Sequence, residues 1–333
     1  MELKGGGLSN LTWQKFERAM PIEGLLTGVR AINSIVTRSS VKGPFYYVGS
    51  GADVVLPIGM AHKDGALFIM DDYAYQNNPS WLDDNLRALA STMENPIING
   101  ELGKDGKRII TFSVDGLKMQ IIMYGEDVTT FDPPEISEGC AMLFIRAPTN
   151  PYDDLGVGSI SYPENTIKLF NKVKIGGYIA NMGISSSFLS ILSPDDIGLE
   201  IVDYGVATCP IELYRKTRNV PELTKIVECA EEIHNAVNLR NGEYTGEING
   251  DTITDMNTFL VELKQKYNVL GLPAKQIVLN ALRRHLFATE ISRSLVDGIK
   301  KRGIAYGIIT DEDAIRFLQS SYSKVLEFFP ELN

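Results

Sequence analysis

The chain has 333 residues, 44% of them hydrophobic and 22% charged, which is the composition of a globular protein long enough for more than one domain. Its formal net charge of -10 disfavours broad electrostatic capture of nucleic acid. No apolar stretch is long enough to span a bilayer, and residues 1–20 lack the apolar core of a signal peptide, so we expect a cytoplasmic protein without membrane contact.

Residues 1–43 are predicted to form a helical lead-in, in which Gly24 and Gly28 favour two short helices over one long helix. From residue 44 onward, short apolar runs alternate with helical stretches, which is typical of parallel strands buried on both faces. The first two strands are predicted at Phe45–Val48 and Ala66–Met70.

The middle of the chain carries a hairpin signal. Two β-rich runs flank Asp115-Gly116, a dipeptide that favours a tight turn, and the second run, Met119–Tyr124, is also expected to be a central strand. A further buried strand is predicted at Ala141–Ile145. The last two strands, Leu199–Tyr204 and Ile211–Arg215, are expected to pair antiparallel because few residues separate them.

The strand signals end near residue 217, so we predict an α/β domain over residues 44–217 and a helical domain over residues 218–333. The second domain contains a basic stretch, residues 275–302, that could meet an acidic partner or RNA. We favour the simpler interpretation of a solvated helix face opposite an apolar one. This domain could also mediate formation of a homo-oligomer.

Cysteines and histidines give no sign of a metal site. The three cysteines form no CxxC pair, and their odd number argues against a disulfide framework, so we expect each to be a buried small side chain or an incidental thiol. The histidines show no HExxH spacing. His62 follows the first helix of the α/β domain, so we expect it to lie away from the strand ends and to be structural.

The candidate site lies at the carboxyl ends of the strands, where open α/β sheets bind ligands. Glycines at Gly49 and Gly51 allow a tight turn and close backbone approach to a ligand after the first strand. Asp71 and Asp72 follow the second strand, where a carboxylate can accept both hydroxyl hydrogens of a ribose. The alternatives are an ordinary strand-to-helix turn at the glycines and a turn cap at one of the two aspartates.

The kind of nucleotide is limited by what the glycine segment lacks. Val54 stands where a dinucleotide motif has its third glycine, and the sequence contains no GxxxxGK[ST] phosphate-binding loop. We therefore expect a ligand without phosphates.

Residues 44–217 resemble the class I S-adenosylmethionine-dependent methyltransferases in a series of short motifs. YYVGSGAD is similar to the family's glycine-rich first motif, IMDD to the acidic end of its second strand, and YGED to the loop that holds the adenine. Ala141–Tyr152 resembles the fourth strand with its catalytic-side loop, KVKIGGYIANMG the approach to the fifth strand, and GLEIVDYG with PIELYRKT the last two strands. The resemblance implies a Rossmann-like α/β fold with a seven-stranded, mostly parallel sheet and an antiparallel last strand.

The same resemblance implies S-adenosylmethionine as the cofactor. Its contacts are expected among residues at four strand ends: Gly49, Ser50, Gly51, Asp53, Asp71, Asp72, Glu126, Asp127, Pro148 and Asn150. Asp53 departs from the family motif and could crowd the methionine end of the cofactor or contact its amino group. Glu126 or Asp127 is expected near the adenine amino group, although Asp127 could instead cap the turn before Pro133.

No catalytic base stands out. Asn150-Pro151-Tyr152 resembles the [DN]PP[YF] signature of amino-methylating relatives but lacks the second proline. Tyr152 and Asp153 are candidates by position alone, and acidic loop residues are more often solvated. A base is needed only when the acceptor is protonated or weakly nucleophilic.

These features predict a methyltransferase that acts on a small-molecule acceptor, with the helical domain serving acceptor recognition or dimerisation. One alternative is another transferase with a related donor of aminopropyl or aminocarboxypropyl groups. A second alternative is a non-catalytic methyltransferase-like protein whose helical domain binds a partner protein.

Overall fold

The computed structural model describes residues 22–51, 53–77, 79–90, 97–102, 107–114, 116–146, 160, 162–182, 187–206, 209, 211–240, 250–287 and 323–332. The chain divides into two compact units. The first unit contains Met1–Ile184 and Gly198–Asn219, and the second contains Ser185–Ile197 and Val220–Asn333.

The first unit is an α/β structure around one nine-stranded mixed sheet. The strands are, in chain order, β1 (Phe45–Val48), β2 (Leu67–Asp71), β3 (Ile97–Leu102), β4 (Arg108–Val114), β5 (Leu117–Tyr124), β6 (Cys140–Ile145), β7 (Val173–Asn181), β8 (Leu199–Ile201) and β9 (Glu212–Lys216). They lie side by side in the order β3-β4-β5-β2-β1-β6-β7-β9-β8.

Parallel strands form the centre of the sheet. β1 pairs in parallel with β2 and β6, β2 with β5, and β6 with β7. Every residue of β1 and β6 is buried, as expected for uninterrupted apolar runs that are covered on both faces. Antiparallel strands extend this centre on both sides, β4 and β3 beyond β5, and β9 and β8 beyond β7.

The sheet has two strands more than the seven predicted. The hairpin around Asp115-Gly116 is confirmed as the antiparallel pair β4–β5, in which Val114 lies opposite Leu117. β3 was not predicted, because its sequence, IINGEL, contains the turn dipeptide Asn99-Gly100 and no regular alternation. It is an edge strand, formed by pairing with β4 over six residue pairs.

The described helices of the first unit are α1 (Ile22–Arg38), α2 (Val55–Met60), α3 (Trp81–Ala90) and α4 (Pro163–Asn171). Gly24 and Gly28 lie within helix α1 and do not interrupt it, and residues 1–21 of the predicted lead-in lie outside the described residues. A Cβ atom at Gly28 would come within 2.5 Å of the Cys209 sulfur, so this glycine permits close packing instead. α1 is tied to α2 by the Asn33 amide, which donates to the Gly59 and Ala61 carbonyls.

The described part of the second unit contains helices and short 3-10 or π segments, and no strand. Its helices include α5 (Leu223–Arg240), α6 (Gly250–Asn268) and α7 (Leu272–Leu282), and residues 323–328 are also helical. Of the predicted basic stretch, Lys275 lies over the Tyr267 ring, and Arg284 forms an ion pair with Asp196. Residues 288–302 of that stretch lie outside the described residues. None of the described helices is long and apolar enough to cross a membrane.

The packing of the aromatic core in the first unit predicts how the truncation of a core side chain changes the free energy of unfolding. Phe144 is fully buried on β6, with its ring centroid 6.0 Å from that of Phe68 and 5.9 Å from that of Tyr47. We expect Phe144→Ala to lower the free energy of unfolding by about 3–5 kcal/mol, measured by urea denaturation, because the core cannot close the cavity. Ile201→Ala, at a side chain 72% exposed, is the control and should change stability by less than about 0.5 kcal/mol. Equal effects of the two changes would contradict this description of the core.

Candidate functional site

Four parallel strands end together at one edge of the central sheet. Val48 of β1 lies opposite Asp71 of β2 and Ile145 of β6, and Asp71 lies opposite Tyr124 of β5. The residues that follow these strands therefore meet there, namely the glycine turn, the aspartate pair, the loop beginning at Gly125, and Arg146.

The glycine turn after β1 has backbone angles that favour glycine. Gly49 and Gly51 have φ angles of 63° and 56°, in the left-handed region. A Cβ atom at Gly49 would lie only 2.1 Å from the Arg146 carbonyl oxygen, so no side chain fits between β1 and β6 at this point. The motif is thus required by the packing of the protein itself, whatever ligand it also approaches.

The two aspartates after the second strand have different roles. Asp72 is 6% exposed, and its Oδ2 accepts a hydrogen bond from the Gly51 backbone N–H at 2.5 Å. The Asp72 carbonyl also accepts from the Tyr75 N–H at 3.0 Å. Asp72 therefore holds the glycine turn and begins the next turn, which is the capping alternative that the sequence left open for one of the pair.

Asp71 has a carboxyl oxygen to spare. The residue is fully buried, its Oδ1 accepts from the Glu126 N–H at 3.1 Å, and its Oδ2 has no partner among the described residues. Burial raises the pKa of Asp71 to about 8, and the carboxylates of Asp72, Glu126 and Asp127 push it in the same direction. A buried polar atom without a partner is costly, and such atoms often mark a place where a ligand binds.

Asp53 is bound entirely by its own protein. It is 1% exposed, Oδ1 accepts from the Val55 N–H at 2.8 Å, and Oδ2 accepts from the Tyr47 hydroxyl at 3.0 Å. Burial raises the pKa of Asp53, while the nearby Arg146 guanidinium lowers it. Both carboxyl oxygens of Asp53 thus have partners within the protein, and its predicted place at the methionine end of a cofactor stays a prediction.

Arg146 was not identified from the sequence. It directly follows β6 and is 5% exposed, and its Nη1 donates to the Ser50 carbonyl at 3.5 Å. It is the charge that faces Asp53 and Tyr47 in the interior. The sequence signal for Arg146 is a charged residue at the end of an apolar run. Spacing along the chain cannot reveal that its charge partner is Asp53, which lies 93 residues earlier.

Of the two carboxylates in the loop after β5, that of Glu126 is accessible to a ligand, whereas that of Asp127 is hydrogen-bonded within its own turn. Asp127 Oδ1 accepts from the N–H and the hydroxyl of Thr129, at 2.9 and 2.7 Å, and its carbonyl accepts from the Phe131 N–H. Asp127 thus caps its own turn, the alternative noted from the sequence. The Glu126 backbone N–H donates to the Asp71 carboxylate. Glu126 itself is exposed, so its side chain is accessible to a ligand.

The remaining predicted residues fall into three groups. Ser50 is fully buried, with its hydroxyl 3.9 Å from the Met123 sulfur. His62 lies beside Lys118 near the amino end of β5, away from the site as predicted, and the three cysteines are buried and free, also as predicted. Predicted residues outside the described part of the chain are Pro148, Asn150, Tyr152 and Asp153.

Comparisons with known proteins assign no family to the chain. No family model matches it, and no curated protein is significantly similar to it. Function therefore has to be argued from the geometry of the site and from its chemistry.

Two glycine substitutions separate backbone strain from steric overlap. Gly65 has a φ angle of 86°, but a Cβ atom there would meet nothing within 4 Å. We expect Gly65→Ala to cost about 1–2 kcal/mol from the left-handed backbone alone. Gly49→Ala adds the overlap with the Arg146 carbonyl and should cost roughly 1–3 kcal/mol more, measured by chemical denaturation. Equal losses would show that the strands separate freely at this turn.

Asp71 should make stability depend on pH. The folded protein holds the Asp71 proton up to a pKa of about 8, whereas an unfolded aspartate loses it near pH ~3.9, so stability should fall as the pH rises between these values and level off above them. Asp71→Asn mimics the protonated carboxyl and should remove this fall, which amounts to at most about 6 kcal/mol, since the two pKa values differ by about four units and each unit corresponds to about 1.4 kcal/mol.

The measurement is the unfolding free energy of both proteins across this pH range, because their difference isolates Asp71 from other groups. Asp64→Asn, at an exposed position in a turn, is the matched control and should leave the profile of the parent protein unchanged. Parallel profiles for the parent and Asp71→Asn would mean that Asp71 is ionised throughout.

Proposed function

We propose that the first unit binds S-adenosylmethionine and transfers its methyl group to a small-molecule acceptor. The observation that carries the proposal is the unpartnered, buried carboxyl oxygen of Asp71 at the end of β2. A ribose presents two hydroxyl donors, and an ionised carboxylate at this position is the acceptor that suits them. Binding would give Asp71 the hydrogen bond that the protein itself does not supply.

The sheet supports the same proposal. When the β3–β4 extension is set aside, seven strands remain, and β9, the last along the chain, is the one that points opposite to the other six. This is the arrangement that the motif resemblance predicts. The proposed site lies at the carboxyl ends of the parallel strands, the general place for ligands in open α/β sheets.

The charge of this edge favours a nucleoside over a phosphorylated nucleotide. Asp71, Asp72, Glu126 and Asp127 lie close enough that the last three raise the pKa of the first. A phosphate would be repelled by these carboxylates, whereas a sulfonium or amino group would be attracted. Of the described cations near these strand ends, Arg146 faces inward to Asp53 and Tyr47, and Lys107 and Arg108 are paired with Glu135 and Asp83.

In the proposed complex, Asp71 holds the ribose and Glu126 lies where it can accept from the adenine amino group. The glycine turn lets the backbone approach the ligand, and Asp72 fixes that turn through Gly51. The cofactor supplies an already activated methyl group, so the task of the protein is to orient donor and acceptor. This role requires no charged base when the acceptor is a strong nucleophile.

A non-catalytic nucleoside-binding role is the second candidate. Ser50, Asp53 and Asp72 are each almost fully buried and bonded within the protein, so these residues do not themselves offer groups to a reaction. Transfer of an aminopropyl or aminocarboxypropyl group from a related donor would use the same nucleoside contacts. Product analysis with labelled S-adenosylmethionine and with labelled decarboxylated S-adenosylmethionine distinguishes these candidates, because the labelled group found in the product identifies the transfer and a non-catalytic protein gives no labelled product.

Binding should require the Asp71 carboxylate. We expect S-adenosylhomocysteine and 5′-methylthioadenosine to bind the parent protein, and Asp71→Asn to weaken both by about tenfold or more, since hydrogen bonds to a charged group contribute about 1.5–3 kcal/mol. The affinity for 5′-methylthioadenosine, which has no ionising amino or carboxyl group, should rise by up to about tenfold per pH unit until the pH reaches about 8, because only the ionised carboxylate accepts both hydroxyls.

Isothermal titration calorimetry at several pH values measures both effects. Asp64→Asn should bind like the parent protein at every pH, and Asp71→Asn should show no rise of affinity with pH. If folded protein binds neither S-adenosylhomocysteine nor 5′-methylthioadenosine, the cofactor assignment is wrong. Binding that is unchanged in Asp71→Asn would place the nucleoside elsewhere.

A further inference from the structure

A cleft lies in the first unit, at the end of the sheet where β6 and β7 begin. It has a volume of about 710 Å³ and is bordered by the loop before β6, the end of α4 and the start of β7. β6 runs from Cys140 at the cleft to Ile145 near the strand ends, a distance of about 17 Å at 3.3 Å per residue. The cleft is therefore separate from the proposed nucleoside site.

Lysines dominate the charge of this cleft. Four lysines line it, Lys168, Lys172, Lys174 and Lys216, against two acidic residues, Asp132 and Glu138. The lining thus carries an excess of two positive charges, although the whole chain has a net charge of -10. Like charges that converge on one cavity repel one another unless an anion joins them.

Lys216 is the most deeply placed of the four, at 5% exposure. Its ammonium group donates to the Phe170 carbonyl at 3.1 Å and to the Val173 carbonyl at 2.9 Å. An ammonium group has three donors, so one remains for a ligand in the cleft. Burial lowers the pKa of Lys216, and no carboxylate among the described residues counters this effect.

The other three lysines also have ammonium N–H donors beyond those bonded to described residues. Lys172 and Lys168 share one carboxylate, that of Asp132, with Nζ–Oδ1 distances of 2.5 and 3.3 Å. Lys168 also donates to the Thr129 carbonyl, and Lys174 to the Lys42 carbonyl at 3.0 Å. These bonds fix the directions of the side chains without neutralising the cluster, because one carboxylate, 59% exposed, serves two cations.

We propose that this cleft binds a small phosphorylated compound through the ammonium groups of Lys172, Lys174 and Lys216. Phosphate oxygens are multivalent acceptors that several lysines can share, and the cavity is of the size that holds a small molecule. The lysines converge on a single cavity rather than forming an extended stripe, which favours a small ligand over nucleic acid. This assignment is independent of the proposed methyltransferase activity.

The test is calorimetric titration of the full chain with inorganic pyrophosphate, at low and moderate salt. We expect saturable binding at one site, weakened by salt and reduced by about tenfold or more in the double variant Lys172→Gln with Lys174→Gln. Glu138→Gln removes a negative charge from the lining and should strengthen binding about two- to threefold. Inorganic phosphate and a nucleoside diphosphate, titrated in parallel, distinguish a free inorganic ion from a phosphorylated organic ligand by which of them binds more tightly.

Lys118→Gln is the matched control, because Lys118 is an exposed lysine of β5 that does not line the cleft. It should bind pyrophosphate like the parent protein. If the double variant does not fold, Glu138→Gln and Lys118→Gln still decide the question, because the first should strengthen pyrophosphate binding and the second should leave it unchanged. Absence of saturable binding, or equal affinities in all variants, would overturn the proposal. Binding of a short RNA through the same lysines, without pyrophosphate binding, would overturn the small-ligand assignment.

Discussion

The close approach of the β1 turn to β6 is the constraint on which the candidate site depends. Gly49 touches the Arg146 carbonyl at a distance that excludes any side chain, and the left-handed turn then directs the Gly51 N–H towards Asp72. The Asp72 carboxylate is therefore already hydrogen-bonded to the Gly51 N–H. The carboxyl oxygen that remains for a ligand belongs to Asp71, so a packing contact between two strands decides which of two adjacent aspartates can bind.

Buried charge is concentrated around this contact. Asp53, Tyr47 and Arg146 form an interior network, and Asp71 lies beside it with one oxygen unbonded. Desolvation of such groups opposes folding, and the aromatic core beneath the strand ends offsets this cost. The Asp71 carboxyl is preorganised, because the Glu126 N–H holds its Oδ1 and it therefore loses little conformational freedom when a ligand binds its Oδ2.

The two ends of the parallel strands carry side chains of opposite charge. Carboxyl groups collect where the parallel strands end, and lysines collect where β6 and β7 begin. The segment between β5 and β6 joins the two ends, since the Glu126 N–H bonds to Asp71 and Asp132 pairs with Lys172 and Lys168. A nucleoside with a positive charge and a phosphorylated compound would thus each meet a surface of complementary sign.

The sequence determined the features that depend on neighbours along the chain. Apolar runs gave the central strands, the Asp115-Gly116 turn gave the β4–β5 hairpin, and the scattered cysteines are buried and free. Local patterns also located the strand ends at which Asp71 and Asp72 lie. They did not reveal β3, whose pairing with β4 outweighs its weak local preference, or the continuity of α1 through Gly28.

Only the tertiary structure decided how side chains at those strand ends are used. In the folded protein, the Asp72 carboxylate accepts a hydrogen bond from the glycine turn. The Asp53 carboxylate accepts from Tyr47 and Val55, and the Asp127 carboxylate accepts from Thr129. The tertiary structure also brings Arg146 to Asp53 and Lys216 to the cleft beside Lys172. Hydrogen-bond and charge partners are set by distances in space, and residues that are far apart in the chain leave no spacing from which such distances can be read.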